Sequence, residues 1–94
     1  MDYYSHEEIA SVIFYTLRLA ESELLMYETC INYVLENCPE SQLYEKTGCE
    51  TKDELIGFQE DLVFLLKRFT DKWMHPERFE GYDPQDCIIK GLTE

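Results

Sequence analysis

The first 38 residues contain neither glycine nor proline. Nothing in that span forces the backbone to turn, so a single long helix is the simplest reading. Ser5 stands at an N-cap position with Glu8 three residues later, the spacing of a capping box. The pattern then runs to Cys38, where Pro39 ends it, because the residue before a proline is pushed out of the helical region. The expected helix covers about 5–38 and would be roughly 50 Å long at 1.5 Å per residue.

At about 100° per residue, Ile9, Ile13, Ala20, Leu24, Tyr27, Ile31 and Val34 form one stripe. Leu17 and Leu35 widen it on one side, and Val12, Tyr15, Leu19, Met26, Cys30 and Tyr33 on the other. The resulting apolar arc of roughly 200° is about twice what a surface helix needs. One intramolecular neighbour would not cover it, so a homodimer or larger assembly, or a target surface, is expected.

Residues 39–50, PESQLYEKTGCE, form a connector. Pro39 is suited to open a short helical turn and Gly48 to close it. Thr51 and Glu54 make a second capping-box pattern. From there Leu55, Phe58, Leu62, Leu65, Leu66, Phe69 and Trp73 repeat at helical spacing, predicting a helix over about 52–74. Gly57 interrupts its interior at a cost of about 1 kcal/mol relative to alanine, which a close backbone contact would explain. In the tail, Asp83, Pro84 and Gly91 mark a short C-terminal helix over about 84–90. No alternation long enough to suggest a strand stands out. The predicted fold class is all-α. It is one domain over 1–94, an antiparallel pair of long helices with a short connector helix and a short C-terminal helix in a small helical bundle.

Charge narrows the function. Twenty acidic residues against eight basic ones give a formal net charge of −12. Fourteen of the acids lie in residues 1–66, accompanied only by Arg18, Lys46 and Lys52. Such a chain repels nucleic acid and anionic membrane and attracts basic surfaces. The opening MDYYSHEE lacks the basic and apolar regions of a secretion signal, and no run of about 18 apolar residues occurs. The expected compartment is the cytoplasm, with Cys30, Cys38, Cys49 and Cys87 as reduced thiols.

Chemistry-bearing motifs are absent. His6 and His75 lack the HExxH spacing that would put two imidazoles on one helix face. The cysteines match no zinc pattern, and no glycine-rich elbow precedes a serine or cysteine. No enzyme activity, cofactor or metal site is expected.

Two binding readings remain. In the first, Glu21, Glu28, Glu36, Glu40, Glu45, Asp53 and Glu54, with Tyr44 as an aromatic anchor, form an acidic face for a basic protein partner. Neighbouring carboxylates about 5–11 Å apart are spaced like nucleic-acid phosphates. That makes the chain a small acidic inhibitor of the phage antidefence or immunity type. It would block a nuclease, CRISPR-type effector or toxin by steric and electrostatic nucleic-acid mimicry. In the second, Lys67, Arg68, Lys72 and Arg78 hold a small anionic ligand such as a signalling nucleotide within a homo-oligomer. A structural adaptor is the plainest alternative.

Overall fold

The computed structural model describes residues 1–82. It shows an α+β fold and corrects the all-α helical-bundle expectation. The expected helix over 5–38 is two separate structures. Residues 2–18 form an antiparallel β-hairpin of β1 (Asp2–Ile9) and β2 (Val12–Arg18), and only Glu21–Asn37 is helical, as α1. A 3-10 turn at Glu40–Gln42 leads into the short α2 (Leu43–Thr47), and α3 spans Lys52–Phe69. Two further 3-10 turns, Lys72–Met74 and Glu77–Phe79, follow. The short helix expected over 84–90 lies outside the described residues, as does Cys87.

The hairpin has a local cause. β2 reads VIFYTLR, with β-branched or aromatic side chains at its first five positions, a composition that suits a pleated backbone better than a helix. Ile9 pairs with Val12 across a two-residue turn in which Ala10 and Ser11 have φ of 52° and 68°. Positive φ at both positions is the type I′ geometry, whose twist matches that of paired strands. The usual signal for it is Asn-Gly; here alanine and serine occupy the left-handed region, at roughly 1 kcal/mol or more each. Ser5, expected to cap a helix, instead lies opposite Thr16, and a register shift between Tyr3 and Ser5 bends β1. The true start of α1 is at Ala20, whose N–H donates to Glu23 Oε1 at 3.1 Å.

Farther along, the expected cap and stop are realised, though the Glu54 carboxylate accepts from the Glu50 amide and not from that of Thr51, so the expected capping box is half formed. Thr51 Oγ1 accepts from the Glu54 N–H at 3.2 Å and caps α3. Gly48 closes α2 in the left-handed region at φ 82°. The helix expected to reach 74 stops at Phe69, because Thr70 adopts extended backbone. Segment 72–82 then folds back: His75 Nε2 meets the Leu66 carbonyl at 3.0 Å, and Phe79 is buried.

Helices α1 and α3 pack antiparallel around two apolar clusters. At one end Cys38, Leu43, Cys49 and Leu55 pack with Ile31, Val34 and Leu35. At the other, Val63, Leu66 and Phe79 pack with Leu24, Leu25 and Tyr82. The buried residues of α3 are thus Leu55, Gln59, Val63, Phe64 and Leu66, while Phe58, Phe69 and Trp73 of the expected stripe are exposed. A Cβ at Gly57 would meet nothing within 4 Å, so no close backbone contact accounts for that glycine. The wide arc on one continuous helix, which grounded the expected assembly, does not exist. Its N-terminal half is a hairpin whose every residue is exposed.

Candidate functional site

The acidic candidates divide into three groups. Glu28 is 0 % exposed and sits between the two apolar clusters. Its Oε2 accepts from Gln59 Nε2 at 3.0 Å and from Arg78 Nε at 3.2 Å, and Arg78 Nη2 bonds its other oxygen. Asn32 Oδ1 and Thr29 Oγ1 complete the network by accepting from Gln59 and Arg78. A carboxylate so enclosed is part of the interior and meets no partner. The signal for this was present in the sequence. Glu28 lies seven residues from Glu21, which suggested a shared polar face, but it also lies four from Leu24 and three from Ile31, within the apolar stripe.

Glu21 is exposed in the first turn of α1, beside Glu23, where carboxylates complement the positive end of the helix. The rest converge at the opposite end of the helical pair. There the last turn of α1, the connector and the first turn of α3 carry Glu36, Glu40, Glu45, Asp53 and Glu54, each exposed, at one end of the helical pair, with Glu50 next to them in the chain. Backbone amides hold two of these: Glu40 Oε2 accepts from the Lys52 N–H at 2.9 Å, and Glu54 Oε2 from the Glu50 N–H at 3.2 Å. The Lys52 ammonium turns away, donating to the Leu35 carbonyl at 3.2 Å. Tyr44 projects from α2 beside this surface with 66 % of its area exposed.

The basic candidates are largely committed to the fold. Arg78 belongs to the Glu28 network. Lys67 Nζ donates to the Phe79 carbonyl at 2.7 Å and to that of Tyr82. Arg68 lies over the Phe69 ring, 5.7 Å from its centre. Lys72 is described at its backbone only. A cavity of about 330 Å³ adjoins Lys67, but Glu77 and Glu80 line it too, which is a poor lining for an anion. Burial pushes the Tyr82 phenol above its ordinary pKa, and the carboxylates of Glu60 and Glu28 add to the rise.

Among the described residues, no group of three or more His, Cys, Asp or Glu side chains is placed to hold a metal ion. Cys30, Cys38 and Cys49 are free thiols, the first exposed and the others buried. No helix among the described residues is long and apolar enough to cross a membrane. No protein-family model, curated protein or solved structure matches the chain.

Proposed function

We propose that this protein is a small acidic inhibitor that occupies a basic surface on a nucleic-acid-handling protein. One observation carries the reading. Glu36, Glu40, Glu45, Asp53 and Glu54 share one exposed end of the molecule, while Lys52, Lys67 and Arg78 turn their charges onto internal acceptors. Among the described residues at that end, exposed Lys46 of α2 alone opposes the carboxylates, so the field stays strongly negative, and backbone amides at the start of α3 hold two of them in place. The mechanism is steric exclusion guided by charge, with Tyr44 as an aromatic contact beside the carboxylates. Glu28 has no part in it, and Glu21 lies too far along α1 to join the same contact.

Affinity capture from native lysate in low salt should retain a basic protein, and its release should follow ionic strength steeply, since screening acts on exposed charges. The variant Glu36→Lys/Glu45→Lys/Asp53→Lys leaves the capping residues Glu40 and Glu54 intact and should abolish capture with helicity unchanged. Capture that survives both the variant and high salt discards the proposal.

A further inference from the structure

The hairpin poses a physical problem. A lone two-stranded hairpin is marginally stable in water, and this one turns through two non-glycine residues, Ala10 and Ser11, in the left-handed region. Among the described residues its strands pair only with each other. Along their length Tyr3, Tyr4, Ile9, Val12, Ile13, Phe14, Tyr15 and Leu17 are all exposed. The described fold leaves all of this surface open to solvent.

The register sorts these side chains onto two faces. Ile13, Tyr15 and Leu17 alternate on one side of β2 and face Glu8, His6 and Tyr3 across the ladder. The Tyr3 hydroxyl and His6 Nδ1 share a hydrogen bond, and the His6 ring lies 5.8 Å from Tyr3 and 6.0 Å from Tyr15, so the three rings run in a row. The opposite face carries Ile9, Val12 and Phe14, but also Asp2, Glu7 and Arg18. The ring-bearing face thus holds one formal charge, Glu8, against three on the other.

We infer that this ring-bearing face is a self-association surface, which a second copy of the chain covers with the same face of its own hairpin. Charge selects the occupant. A basic partner is drawn to the carboxylates at the far end of the helices, whereas two copies at −12 each repel everywhere except where charge is sparse. Area is sufficient. Tyr3, Ile13, Tyr15 and Leu17 are each about half exposed, offering about 400 Å² of apolar surface per copy at roughly 100 Å² each. With the polar share typical of an interface this becomes about 700 Å² per copy, close to the ~800 Å² of a standard specific contact. A twofold axis through the face would bring the same side chains together from both copies.

Light scattering on the full chain at tens of micromolar, without any partner, should give twice the 11.2 kDa chain mass. Raising the salt should preserve or tighten the dimer, because screening relieves repulsion between like-charged copies; capture of a basic partner responds in the opposite sense, so the two proposals fail separately. Tyr15→Lys should dissociate the dimer at least tenfold more readily. Phe14→Lys, which places the same charge on the opposite face of the same strand, should leave it intact. A monomeric mass for the unaltered chain overturns the inference. So does a dimer that resists Tyr15→Lys, or one that Phe14→Lys disrupts equally.

Discussion

Arg78 and Glu28, fifty positions apart, form an ion pair that clasps the 3-10 turn at Glu77–Phe79 onto α1. Glu28 is wholly enclosed, whereas Arg78 retains 31 % of its side-chain exposure. Removing one partner leaves a buried charge without compensation. Arg78→Ala should therefore cost about 3 kcal/mol, at the low end for a broken buried pair because water still reaches the guanidinium. The double variant Glu28→Leu/Arg78→Met should cost less than Arg78→Ala alone, since no stranded charge remains. Urea unfolding of the three proteins provides the comparison; a double variant that is weaker than the single one would contradict this account.

Two glycines should respond in opposite directions to the same substitution. Neither Gly48 nor Gly57 has an atom within 4 Å of where a Cβ would stand, so space is not at issue. Gly48 sits at φ 82°, and Gly48→Ala should destabilise by about 1 kcal/mol. Gly57 lies within α3, and Gly57→Ala should stabilise by up to about 1 kcal/mol. Thermal melts that shift in the same direction for both would show that one backbone assignment fails.

The hairpin turn can be improved without touching either face. Ala10→Asn with Ser11→Gly supplies the residues that a type I′ turn prefers and should stabilise the hairpin by about 1 kcal/mol or more. Hydrogen exchange of the β1 and β2 amides should slow accordingly, while α3 amides stay unchanged. Faster exchange in the strands would rule out the turn geometry.

The α-amino group of Met1 lies 2.6 Å from Glu23 Oε2 and ties the hairpin to the first turn of α1. Hydrogen bonding to that ammonium, then to the Ala20 amide, holds the Glu23 carboxyl below its ordinary value. The same bond raises the Met1 amine above its ordinary value. A depressed carboxylate stabilises fully above its unfolded value near 4.5 and loses that contribution as pH falls through the lower folded value. A raised amine stabilises fully below 8.0 and loses its contribution as pH rises through the higher folded value. The contact is therefore whole between those limits and weakens beyond each. Water reaches both groups, Glu23 retaining 28 % of its side-chain exposure, so the effect is small and is best followed by NMR titration of the Glu23 carboxyl, whose midpoint should rise when the amine is acetylated.

What the chain determines by itself is the part governed by neighbours a few residues apart. The Thr51 cap, the Gly48 stop, the break at Pro39 and the short turn between them all act through the local backbone, and each is where the pattern placed it. The acidic balance is likewise a property of composition. The tertiary structure decided the rest. A hairpin closed by Ala10 and Ser11 carries none of the usual turn residues, and the side chains of Phe14–Glu28 fit a helical spacing as readily as a strand joined to a helix. Only pairing between β1 and β2 separates the two, and that interaction spans up to sixteen positions, beyond the reach of any local period. Glu28 shows the same limit. It lies on the border of an apolar stripe and a polar one, and its burial depends on Gln59 and Arg78 arriving from elsewhere in the chain to accept the cost of removing a carboxylate from water. Those same contacts draw Arg78 inward, while Lys67 turns onto the carbonyls of the returning segment, and so determine which charges stay exposed.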